Sequence, residues 1–143
     1  MTTTTRIIRT AIALLIVAAG IAIAPSAASA CSAGEFCLFH NDNFGGGEYH
    51  FSGSDNNLNN DRFVGNSSLF VGNNTRSAWN HGRWQSNGIN HVLVYTRTNK
   101  GGTAGCILYN QYGALVYPFA GNVESYRWVN RATCDAKKRA ITL

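Results

Sequence analysis

Four cysteines, Cys31, Cys37, Cys106 and Cys134, carry the widest chemical options in this 143-residue chain. A thiol can act as a nucleophile, a metal ligand or half of a disulfide. The first pair is spaced C-x5-C, which is not the C-x2-C of a zinc site. An even number of cysteines in a small exported chain reads as a disulfide framework. Four cysteines allow three pairings. Cys31–Cys37 and Cys106–Cys134 are expected, because each joins residues within one half of the chain. In the chain-entropy account the second loop contributes about 3–4 kcal/mol.

The other reactive types do not assemble into a catalytic pattern. His40, His50, His81 and His91 show no H-E-x-x-H spacing, and no G-x-S-x-G elbow is present. The carboxylates are Glu35, Asp42, Glu48, Asp55, Asp61, Glu124 and Asp135. A glycosidase needs two of them facing each other at about 5–9.5 Å, and no motif pairs any two. Glu48 and His50 fall on one strand face by the period of two, where they could form an acid–base pair. An exposed polar face is the expectation there, and the chain is not expected to be an enzyme.

Residues 1–30 read as an address. Arg6 and Arg9 precede an apolar run over residues 11–24, Pro25 breaks it, and Ala28-Ser29-Ala30 is an A-x-A cleavage site. This is the order of a secretory signal peptide, and the run is shorter than the ~20 residues of a membrane span. Residues 31–143 are therefore expected as the mature, secreted domain. Cys31 would be its first residue, where a bacterial lipoprotein carries its lipid, but the Leu-like residue usual three positions earlier is Ala28. No membrane association is expected unless Cys31 is lipidated.

Losing Arg6 and Arg9 lowers the formal charge from +5 to +3. Lys137-Lys138-Arg139 is the only basic cluster, read as a solvated strand end. Without a basic stripe interleaved with stacking aromatics, nucleic acid is not an expected partner. A monomer is expected.

The mature sequence is rich in Asn and Gly, and no stretch places apolar residues at helical spacing over three turns. Short β-rich runs recur at residues 36–40, 48–51, 69–71, 92–96, 107–109, 115–119, 126–129 and 140–143. About eight short strands separated by turn signals predict an all-β sandwich. A repeat divides the chain. Phe39, Phe44 and Gly46 are matched in spacing by Tyr95, Lys100 and Gly102. Asn73-Asn74-Thr75-Arg76-Ser77 is echoed by Gly121-Asn122-Val123-Glu124-Ser125. Two such units, at about 31–85 and 90–143, suggest a duplicated four-stranded Greek key.

These residues resemble the Greek-key motif of βγ-crystallins. Cys31-Ser-Ala-Gly-Glu-Phe-Cys37-Leu-Phe39 with Phe44-Gly-Gly46 resembles more closely the opening of the secreted actinobacterial metalloproteinase-inhibitor family. The resemblance implies a βγ-crystallin-like sandwich of two Greek-key motifs and inhibition of an extracellular peptidase. That family's inhibitory loop is braced by a cysteine at its cleavage-like bond, and here no cysteine is spare, so no reactive bond carries over.

An inhibitor needs a rigid exposed segment that enters the peptidase cleft. Two segments qualify by position. Residues 80–91 join the halves and carry Trp84, a potential anchor. Residues 97–105, with Arg97, Thr98, Asn99, Lys100, Gly101 and Gly102, are expected as a loop leading into Cys106. Calcium is the other candidate ligand, because βγ-crystallin sites use two Asn/Asp, two variable residues, Ser/Thr and Ser. Ala78 replaces the last Ser of the first echo, and the second lacks the first Asn/Asp. Asn74, Ser77, Asn122 and Ser125 are neutral, so any site is weak and no cofactor is required. The structural alternative is that Ser77 and Ser125 bond to the neighbouring hairpin. The competing functions are a crystallin-like calcium or ligand-binding module and a secreted crystallin-like toxin.

Overall fold

The computed structural model describes residues 31–142. The leader expected over residues 1–30 lies outside them.

The chain opens with a hairpin of β1 (Glu35–Phe39) and β2 (Glu48–Phe51), antiparallel with Cys37 opposite His50. The expected repeat shows its purpose at the bend. Phe44 and Gly46 both take left-handed backbone angles, with φ of 63° and 78°, and the Phe44 ring meets Phe39 edge-on at 5.5 Å. The second hairpin, β6 (His91–Arg97) and β7 (Gly101–Ile107), repeats the bend: Lys100 and Gly102 have φ of 62° and 71°. Lys100 keeps the backbone shape of the aromatic it replaces, and Tyr95 is covered instead by the Arg127 guanidinium at 5.9 Å.

Between the hairpins lie a two-stranded ribbon, β3 (Arg62–Phe63) with β4 (Asn66–Phe70), and then β5 (Ser77–His81). The second half continues with β8 (Tyr112–Ala114), β9 (Ser125–Val129), a one-turn helix α1 (Arg131–Asp135) and β10 (Lys138–Arg139). One sheet runs β2-β1-β5-β8 and the other β10-β7-β6-β9. The second half lends a strand to the first half's sheet, and the first half returns an isolated bridge. β8 pairs with β5, and Asp55 of the first half bridges Tyr126 of β9. The halves are also sewn reciprocally: Asn73 N–H donates to Val123 O at 3.1 Å, and Gly121 N–H to Thr75 O at 2.8 Å. The fold is a sandwich of two interlocked Greek keys.

Alternating inward residues fill the space between the sheets. Phe36, Leu38, Ala78, Val92, Val94, Ile107 and Tyr126 are fully buried there, joined by Phe63 of β3 and by Leu58, Val71, Phe119 and Val123 from the connections. Burial of such side chains contributes roughly 1.5–3 kcal/mol each before entropy is counted.

Both expected disulfides are present, Cys31–Cys37 and Cys106–Cys134. The Cys31 sulfur is therefore committed to a protein partner and is not a free thiol for a lipid. Several expectations need correction. Of the runs expected as strands at 107–109 and 140–143, among the described residues only Ile107 ends a strand, and Ile141 forms only an isolated bridge. Residues 97–105 are not a loop: they form the end of β6, a tight turn and most of β7. Residues 115–119 do not form a strand, because Tyr117–Pro118 and the turn closed by Phe119 N–H on Val116 O carry the chain around a corner. The helix α1 was unforeseen, since one turn is too short for a periodic signal. Asn130 caps it through Thr133 N–H at 2.9 Å, and it delivers Cys134 to Cys106.

Candidate functional site

The turn at Arg97–Gly102 is built to stay closed. Ser125 Oγ donates to Arg97 O at 2.7 Å and accepts from Lys100 N–H at 3.0 Å. Glu124 accepts from Thr98 N–H, and Asn99 N–H reaches Asn56 O at 2.7 Å. Asn99 and Lys100 are both left-handed. The segment expected as an open loop is therefore a folded corner at Arg97–Gly102, and its side chains do not follow one another as an extended peptide's would.

The loop expected over residues 80–91 is shorter: Asn80 and His81 belong to β5 and His91 opens β6, which leaves residues 82–90 to join the two halves. They belong to no helix or strand. Residues 83–87 are exposed in one unbroken run, with Trp84 70% exposed. The neck of this loop is closed by Asn80, the fourth residue of β5. Its fully buried side chain donates to Asn90 O at 3.0 Å and to Ile107 O at 3.3 Å, and accepts from Gly82 N–H at 3.1 Å. One amide thus spans both ends of the loop. Further out, Gly88 N–H returns to Gln85 O, and Asn87 Oδ1 accepts from Ile89 N–H.

Neighbouring segments buttress this loop. The Cys31–Cys37 disulfide holds residues 31–34 beside it. There Arg83 Nε donates to Ala33 O, His81 Nδ1 pairs with Cys31 O at 2.7 Å, and Gly34 N–H donates to His81 O. The Trp84 ring stands edge-on to Tyr109 at 5.7 Å. Tyr109 N–H in turn donates to His91 Nδ1, whose pKa is held below the ordinary histidine value by burial and by the Arg131 charge. Beside the loop lies an open groove of about 550 Å³ lined by Ser32, Gly34, Glu35, Ser52, Arg83 and Trp128.

The calcium candidates are occupied with the fold. Ser77 Oγ donates to Asn41 O at 2.6 Å and accepts from Phe44 N–H, matching Ser125. Asn74 donates to Gly72 O, and Asn122 to Pro118 O. Among the described residues no three His, Cys, Asp or Glu side chains converge as a metal site. Nor do Glu48 and His50 form a pair: His50 Nδ1 meets Glu35 Oε2 at 3.1 Å, and Glu48 is buried, with its pKa raised chiefly by that burial.

Sequence reasoning placed both Trp84 and Asn80 in the connecting loop and missed that Asn80 lies within β5 with its amide buried. A polar residue inside a strand carries no sign of which side it faces. Nor did composition reveal that Gly82 lets the Trp128 ring lie against the loop's neck.

Comparison with known proteins bears on this geometry. A family model described as peptidase inhibitor family I36 matches residues 24–107. No curated protein matches the chain. Among solved structures, a chain described under the evolution of the eye lens βγ-crystallin domain fold is 13% identical. The match covers 69% of this chain and 88% of that one, with a TM-score of 0.51. The N-terminal domain of protein S is 15% identical over 68% of this chain and 97% of that one, with a TM-score of 0.46.

Proposed function

The chain belongs to peptidase inhibitor family I36, and from that premise we propose that it is exported and blocks an extracellular peptidase with residues 82–90. Trp84 is the anchor, and metallopeptidases are the first class to test, given the resemblance of the mature start. The observation that carries this reading is Asn80 clamping both ends of an exposed loop. A segment already ordered loses little entropy on binding, and an exposed aromatic within it supplies the buried anchor that dominates such interfaces. Two disulfides suit a secreted protein, and residues 1–30 are the proposed leader.

The test is inhibition of a thermolysin-like metallopeptidase and a subtilisin-like serine peptidase by the purified mature protein. Trp84→Ala should weaken inhibition at least about tenfold, as loss of an interface anchor does. If Trp84→Ala inhibits like the wild type while Lys100→Ala does not, the hairpin corner is the contact surface and the loop assignment is wrong.

A further inference from the structure

We propose that the free edge of β7, with the groove beside it, binds an extended acidic peptide by strand addition, independently of the inhibitory loop. β7 pairs with β6 at Gly101 and again from Ala104 to Ile107, across a bulge at residues 102–103, but β10 reaches only Gly105 and Cys106 on its other side. Residues 102–104 have no strand partner there. An unpaired edge is a template for another strand. A groove of about 680 Å³ runs along this edge, between residues 116–119 and 136–139.

The groove's chemistry narrows the guest. Ala104, Val116 and Phe119 give it an apolar floor, and Tyr117, 94% exposed, stands over it. Lys137, Lys138 and Arg139 line the rim, and no carboxylate does. Asp135 is engaged by Arg131 and Arg139, while Lys137 and Lys138 form no ion pair among the described residues. The backbone edge calls for an extended chain and the lysines call for carboxylates. Because side chains alternate along a strand, the fitting sequence alternates acidic and apolar residues. A second copy of this chain fits poorly, since no two of its carboxylates lie within two residues of each other.

The probe is fluorescein-labelled acetyl-Glu-Val-Glu-Val-Glu-Val-amide, titrated into the mature protein at low salt. Saturable binding is expected, weakened at least about tenfold in the doubly charge-reversed K137E/K138E protein and severalfold in Tyr117→Ala. All three side chains are on the surface, so these variants should fold. A probe N-methylated at alternate residues keeps its charge and loses its ladder donors, and should bind at least about tenfold more weakly. Trp84→Ala should leave peptide binding unchanged. The proposal is overturned if the N-methylated probe or the Lys-Val counterpart binds equally well, or if inorganic polyphosphate displaces the peptide at equal charge. It is also overturned if this face instead joins two copies, shown by a dimer in sedimentation that K137E/K138E dissolves.

Discussion

Ser125 Oγ repeats in the second half of the chain the two hydrogen bonds that Ser77 Oγ makes in the first. Each hydroxyl donates to the carbonyl at the entry of the facing hairpin bend, Asn41 or Arg97. Each accepts from the amide of the left-handed residue inside it, Phe44 or Lys100. Both serines are fully buried. The two hairpins are thus locked onto β5 and β9 by one device used twice.

Removing either hydroxyl strands a backbone amide and a carbonyl. Ser77→Ala and Ser125→Ala are each expected to destabilise the domain by about 1–3 kcal/mol, read from the denaturant midpoint. Because the same oxygens would have to ligate calcium, millimolar calcium should not raise Tm. A clear rise that Ser77→Ala abolishes would show that the hydroxyl is free to bind an ion.

Trp84 separates stability from binding. At 70% exposure it contributes little to the core, so Trp84→Ala should change unfolding free energy by no more than about 0.5 kcal/mol. Inhibition should weaken at least about tenfold. Asn80→Ala should do both: it leaves Asn90 O, Ile107 O and Gly82 N–H without their partner, costing about 1–3 kcal/mol, and frees the loop. Equal Ki values for Asn80→Ala and wild type would remove the role assigned to the clamp.

Asp61 gives the stability curve a sign. Burial first, and then the Asp55 charge, raise its pKa from 3.8 to about 6. The folded state therefore holds a proton that the unfolded chain releases between these values, so this residue's contribution falls as pH rises from 3.8 to about 6. Asp61→Asn should be more stable than the wild type above pH 6 and flatten that slope, measured as Tm against pH. A variant whose Tm profile parallels the wild type would show Asp61 titrating normally.

Much of the sandwich was legible because its signals are local. Phe39, Phe44 and Gly46 against Tyr95, Lys100 and Gly102 encode a bend, and the left-handed angles at Phe44 and Lys100 show that backbone shape, more than aromaticity, is what repeats. The same blindness to backbone made residues 97–105 look like a loop. Gly101, Gly102 and Gly105 suggest flexibility in one dimension, yet β7 uses them for close approach: a Cβ at Gly105 would stand 2.4 Å from the Phe119 ring. At the candidate site the loop and Trp84 could be read from composition. The clamp could not, because the partners of Asn80 include Ile107, 27 residues away, which only the folded sheets bring near.

Gly82 joins the loop's neck to the second sheet. A Cβ there would stand 2.7 Å from the Trp128 ring and 3.0 Å from Asn80 Oδ1. The ring cannot easily retreat, since Trp128 Nε1 donates to Gly53 O at 2.8 Å. Gly82→Ala should therefore cost about 1–3 kcal/mol through overpacking and weaken inhibition by displacing the clamp. Gly88→Ala, near the loop's far end, is the contrast: its φ of +74° resists a side chain, but nothing lies within 4 Å of the new methyl. Its cost should be about 1 kcal/mol and conformational. Denaturation and Ki measured on both variants test the distinction. Equal losses of stability and potency would mean that contact between Gly82 and Trp128 does not position the loop.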